Sequence, residues 1–235
     1  MNKFIQTSVA AAALVVASGA FAQKAGDNIY SVGVASVNPI ANLGPLSNST
    51  PYNGGPATYT NVLAGTTAKV SSEMTISVGW LHMYTDNIGA EVTFGIPPTV
   101  RQDLNSPSLG NHASAAKIDV WTPGAVAKYF FGTAQDKWRP YVGLGVSRVS
   151  FKNITISSDA AVQALAANSA QLSSSWTPIY NAGMVYNIDD KWSISGSVSY
   201  LPIKTSATFV GAVGTTTGDV KLNTTDYVLR LGYRF

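Results

Sequence analysis

Tyr227-Val228-Leu229-Arg230-Leu231-Gly232-Tyr233-Arg234-Phe235 closes the chain, and its two faces differ. Tyr227, Leu229, Leu231, Tyr233 and Phe235 make one apolar row, while Val228, Arg230, Gly232 and Arg234 make the other. A period of two kept up over about ten residues is what a strand needs to cross a bilayer. Hydrocarbon would meet the first row, and the arginines would point to an interior. An aromatic ending on the lipid side is also a signal for barrel-assembly machinery. Tyr233 and Phe235 are therefore its candidate elements, and that machinery is a candidate partner.

The other end of the chain fits export. Lys3 supplies a basic start, residues 9–16 form a short apolar run, and Ala20-Phe21-Ala22 matches a small-x-small cleavage site. The apolar run is too short to span a bilayer as a helix. The reading is a signal peptide over residues 1–22 and a single barrel over residues 23–235.

Composition agrees. The chain has no cysteine, which excludes disulfides, thiolate catalysis and cysteine metal sites. Only 11% of residues are charged against 46% hydrophobic, too few charges for an ordinary soluble domain. No apolar stretch reaches the length of a helical span. The formal charge of +3 has no basic run to concentrate it, so nucleic acid is not a partner.

Period-two patterning divides the rest into eight segments: residues 29–37, 74–84, 88–96, 121–131, 139–151, 176–186, 192–203 and the terminal stretch. Residues 85–87, 132–137 and 187–191 make short polar connections. Residues 39–73, 97–120, 152–175 and 204–223 make long ones, rich in Gly, Ser, Thr, Asn and Pro. Short turns at one end and long loops at the other are the asymmetry of a bacterial outer-membrane barrel. An even strand number puts both termini on the short-turn side. The fold class is thus an all-β, eight-stranded antiparallel transmembrane β-barrel.

Three stretches resemble the OmpW family of outer-membrane proteins. The first is Tyr84-Thr85-Asp86-Asn87-Ile88-Gly89-Ala90-Glu91. The second is Lys128-Tyr129-Phe130-Phe131-Gly132, followed by Trp138-Arg139-Pro140-Tyr141-Val142-Gly143-Leu144-Gly145. The third is the ending Gly232-Tyr233-Arg234-Phe235. The resemblance implies a barrel in the outer membrane of a Gram-negative bacterium, with short periplasmic turns and long extracellular loops. Transport of small hydrophobic molecules is implied as well. Such a channel is passive and uses no cofactor.

Inward positions define the candidate lumen. Leu81, Thr93, Ile179, Ser199, Leu201 and Ile203 are assigned to it, with Ile179, Leu201 and Ile203 forming an apolar vestibule toward the loops. Thr93 and the serines of residues 193–199 make the middle polar, which leaves small polar solutes open. Near the short-turn end, Glu91, Lys128, Arg230 and Arg234 lie at similar depths and form a candidate charge plug. Glu91 pairs with Lys128 on the adjacent strand or with Arg230 across the lumen. Two readings stay open: a gate that turns solute sideways into the membrane, or a static core network.

Aromatic residues cluster near the short turns, as expected where headgroups meet hydrocarbon. Outer-membrane lipid and lipopolysaccharide are expected partners, with Arg148 near the outer rim placed to meet lipopolysaccharide phosphates. His112 is the only loop histidine, no nucleophile motif accompanies it, and no enzyme is expected. Residues 158–172 are alanine-rich, with Asp159 near the start, and predict a short helix. The alternative to a channel is a closed barrel serving envelope integrity or surface recognition.

Overall fold

The computed structural model describes residues 23–235, so the signal peptide assigned to residues 1–22 lies outside the described residues. The chain forms β1 (Asn28–Leu43), β2 (Thr67–Val70), β3 (Glu73–Met83), β4 (Ile88–Gly95), β5 (Thr99–Ser106) and β6 (Gly110–Trp121). It continues with β7 (Gly124–Phe130), β8 (Trp138–Ile156), β9 (Ser169–Leu172), β10 (Ser175–Asn187), β11 (Trp192–Gly211) and β12 (Gly214–Arg234). Two short helices, α1 (Tyr59–Val62) and α2 (Ala160–Ala166), lie in the connections.

Eight strands close a ring in the order β1-β3-β4-β7-β8-β10-β11-β12, with β12 pairing back onto β1. Neighbours run antiparallel throughout. Closure pairs the backbone without leaving an edge, which a sheet in hydrocarbon requires. Side chains alternate as the sequence indicates. Tyr30, Val32 and Val34 face out while Ile29 is buried, and on β12 Leu229 is 56% exposed next to Arg230 at 8%.

The strands at the loop end run much further than the sequence reading placed them. Residues 204–223, read as a long loop, are the upper parts of β11 and β12. These pair without interruption from Trp192↔Tyr233 to Gly211↔Gly214. The reason is an inversion of sidedness. Lys204, Ser206, Asp219 and Lys221 face outward, while Thr205, Ala207, Val220 and Leu222 point in. A search for apolar residues on the outside passes over such a stretch, because its outside meets water. β1 likewise continues to Leu43, beyond the predicted end at Val37.

Residues 97–120 also contain structure, the β5–β6 hairpin. β2 flanks this hairpin through β5, and β6 docks on the upper half of β8. Val100, Ala116 and Ile118 make a small apolar cluster there. The predicted helix is α2. Asp159 caps it by accepting from the backbone N–H of Ala161 at 2.9 Å and Val162 at 3.2 Å. Gly211 lets α2 rest on the wall, since a Cβ there would stand 2.2 Å from the Ala164 carbonyl oxygen.

Candidate functional site

The lumen is built in layers. At the short-turn end Ile29, Leu81, Met83, Phe130, Tyr141 and Val185 pack into a closed apolar core. Under it Arg139 is fully buried and donates to the carbonyl oxygens of Gln23 and Asp86, each at 2.6 Å. Its guanidinium lies 5.3 Å from the centroid of the Phe130 ring. Gln23 in turn donates to Asn187 at 3.3 Å. Leu81, assigned to the lumen from sequence, belongs to this floor. It pairs in register with Glu91 and packs downward, because successive inward positions on β3 descend from Ser77 through Gly79.

Above the floor lies the charge network. Glu91 Oε2 meets Lys128 Nζ at 2.6 Å, and Glu91 Oε1 meets Arg230 Nη1 at 2.8 Å. Both partners that the sequence suggested are thus engaged at once. Arg230 Nη2 also donates to Ser77 and Thr93, each at 2.6 Å, and Lys128 Nζ sits 4.5 Å from the centroid of the Tyr141 ring. Glu91, Lys128 and Arg230 are all buried. Every charge therefore has a counter-charge or a hydrogen-bond partner, as burial demands. Gly79 makes the room: a Cβ there would lie 2.9 Å from Arg230 Nη1 and 3.4 Å from the Glu91 carboxyl carbon.

Arg234 does not join this network. It stands opposite Ile29 in register, whereas Arg230 stands opposite Gly33. Four residues of strand amount to about 13 Å of depth. At the rim Arg234 pairs with Asp27 at 3.1 Å and donates to the Asp190 carbonyl. Tyr233 and Phe235 lie on the outer face, their rings 4.8 Å apart. Phe235 also meets Tyr30 edge-on at 5.4 Å.

Toward the loops the lumen opens into two connected cavities. The lower is lined by Thr93, Ile179, Asn181, Ser199, Asp226 and the ion network. The upper is an apolar funnel lined by Leu201, Ile203, Leu222, Phe151 and Phe209, with Leu201 and Asp226 bordering both. Ile179 therefore belongs to the lower chamber, although it packs in the same apolar cluster as Leu201 and Ile203.

The lower cavity also reaches the outer wall through Ile76, Phe94, Gly95, Ile96, Pro97 and Pro98. Here the β4–β7 ladder ends at Thr93↔Gly124, and the two chains meet again where Val120 donates to the Pro98 carbonyl at 3.1 Å. Pro97, Pro98 and Pro123 carry no N–H with which to close the gap.

Two residues escaped the sequence reading as site members, Arg139 and Asp226. Both are in phase with inward neighbours, Tyr141 and Arg230 respectively, and that phase was the available signal. In the loops His112 Nδ1 lies 3.0 Å from Asp159 Oδ2 and ties the β5–β6 hairpin to α2. Among the described residues no cluster of His, Asp or Glu could hold a metal ion.

Comparisons with known proteins agree with this architecture. The outer membrane protein W of Vibrio cholerae serotype O1 is 27% identical over 98% of this chain and 99% of its own. That of Escherichia coli K12 is 28% identical over the full length of both. The crystal structure of OprG from Pseudomonas aeruginosa superposes with a TM-score of 0.77 at 26% identity, covering 91% of this chain and 98% of OprG. The OmpW family model matches residues 25–235. The chain belongs to the OmpW family and is an eight-stranded β-barrel of the Gram-negative outer membrane.

Proposed function

We propose that this barrel is a passive channel that admits small molecules with apolar bodies from the cell exterior and releases them sideways into the membrane. The observation carrying the reading is the blind lumen. The apolar funnel leads down to a chamber whose floor is sealed by the Glu91–Lys128–Arg230 network, while the chamber reaches the wall at residues 94–98. A solute descending the funnel meets fixed charge below and lipid-facing side chains beside it, so transfer along the wall is the lower barrier. Solute gradient drives the transfer, and neither catalysis nor a cofactor enters the proposal.

The test is uptake of a small hydrocarbon-like solute by liposomes containing the refolded protein, against empty liposomes. Leu201→Trp and Ile203→Trp fill the funnel and abolish the protein-dependent component. A folded barrel that adds nothing to uptake favours the second reading, a closed barrel for envelope integrity or surface recognition. The same sealed floor supports that reading.

A further inference from the structure

At the junction of the two cavities the wall carries a row of three polar side chains, two of which hold an acceptor without a donor. Asn181 on β10 stands opposite Ser199 on β11, and Ser199 stands opposite Asp226 on β12. Adjacent strands are about 4.8 Å apart, so the row spans about 10 Å of the inner wall. All three side chains line the lower chamber, and Asp226 borders the funnel as well. Asn181 spends its Nδ2 on the Val198 carbonyl and on Ser199 Oγ, at 3.1 and 2.9 Å. Its Oδ1, and Oδ1 of Asp226, are enclosed and meet no donor among the described residues.

An unpaired carboxylate inside a barrel is costly unless something compensates it. The nearest cation on its own strand, Arg230, is four residues lower and committed to Glu91, Ser77 and Thr93. Lys128 is committed to Glu91. On the neighbouring strands Asp226 faces Val37 and Ser199, neither of which is charged. Lys204 and Lys221, higher on the same hairpin, point outward. Among the described residues no cation or hydrogen-bond donor reaches Asp226 Oδ1, at the point where apolar surface gives way to polar.

We propose that the Asn181–Ser199–Asp226 row is a selectivity site that binds the ammonium head of a solute whose alkyl body lies in the funnel above. The three N–H donors of a primary ammonium match an arc of acceptors. An alkyl chain of a few carbons extends from that arc toward Leu201, Ile203 and Leu222. Carboxylate-headed amphiphiles of the same length set a second acidic head against Asp226, and the row offers them only the Ser199 hydroxyl as a donor. The inference rests on the channel reading and narrows its solute class to cationic amphiphiles, with neutral alcohols as weaker ligands.

Binding is measured by calorimetry on the full mature barrel in lipid nanodiscs, with empty nanodiscs as blank. The probes are hexylammonium, hexanol and hexanoate at neutral pH, where an alkylammonium is protonated like lysine. Hexylammonium binds the parent at least about tenfold more tightly than hexanoate, and Asp226→Asn removes about tenfold or more of its affinity. The same substitution leaves hexanol within about threefold, because it keeps the shape and a hydrogen-bonding head. Equal binding of hexanoate and hexylammonium to the parent overturns the proposal, as does hexylammonium affinity unchanged in a folded Asp226→Asn barrel. Should Asp226→Asn not fold, the comparison of probes on the parent decides alone. Binding and flux are separate readouts: hydrocarbon uptake without ammonium selectivity sinks this inference only, and ammonium binding without uptake sinks the channel only.

Discussion

The lower and upper halves of β12 are one unbroken strand with opposite sidedness. From Tyr227 to Phe235 the outer row is apolar and the inner row holds Arg230 and Gly232. From Thr215 to Lys221 the outer row is Thr, Thr, Asp and Lys, while Val220 and Leu222 are buried inside. No bulge intervenes, and the pairing with β11 continues through both halves. Strand formation is therefore common to the two, and the medium on each side decides which residues go where. Below, lipid lies outside and an ion network inside; above, water lies outside and an apolar funnel inside. The same alternation builds a lipid-facing band in one half and the lining of an apolar funnel in the other.

That contrast makes graded predictions. Removing the counter-charge in the lower half has the largest effect. Glu91→Ala leaves Lys128 and Arg230 buried against each other and costs about 3–5 kcal/mol in urea unfolding of the refolded barrel. Asp219→Ala, which removes an exposed partner of Ser206 in the upper half, costs less than about 1 kcal/mol. Leu229→Arg, near the middle of the lipid-facing band, costs about 2–4 kcal/mol. Thr217→Arg on the outer face of the same strand above the membrane is near neutral in the same titration. Equal costs at positions 229 and 217 would erase the distinction between the halves.

Gly79→Val intrudes on Arg230 and Glu91 and costs about 1–3 kcal/mol. The smallest effect belongs to the loops. The side chain of His112 and the backbone N–H groups of Val162 and Ala161 hold the Asp159 carboxyl below its ordinary 3.8. A depressed carboxylate stabilises α2 above that ordinary value, and the contribution is lost as pH falls through the lower folded-state value. Asp159→Ala accordingly speeds amide hydrogen exchange at Ala161 and Val162 at neutral pH and leaves barrel unfolding unchanged. In the parent the same acceleration sets in only below about pH 3.8.

The strand count, the ring order and the lipid-facing rows were legible in the sequence because membrane imposes a uniform outside. Every crossing segment repeats one pattern, and closure leaves a single antiparallel arrangement. The upper walls were illegible for the converse reason: in residues 204–223 polar outward residues among Gly and Thr look like a loop until the apolar inner row is given something to enclose. Glu91, Lys128 and Arg230 could be brought together from turn spacing alone. Depth along a tilted strand could not be judged that way, so Arg234 was placed a layer too high and Leu81 above the floor it helps to form. Asp226 carries no local motif, and its isolation is visible only once β10, β11, β12 and β1 are laid side by side.

The central claim is that solute leaves through the wall at residues 94–98. It is tested most directly by bridging the gap in a chain that has no native cysteine. Ile96→Cys and Thr122→Cys both line the lower chamber at that point, and a short bifunctional thiol reagent joins them. Bridging is expected to remove the protein-dependent uptake of a hydrocarbon-like solute by proteoliposomes, while each single-cysteine barrel, treated alike, retains it. Uptake that survives the bridge contradicts sideways release.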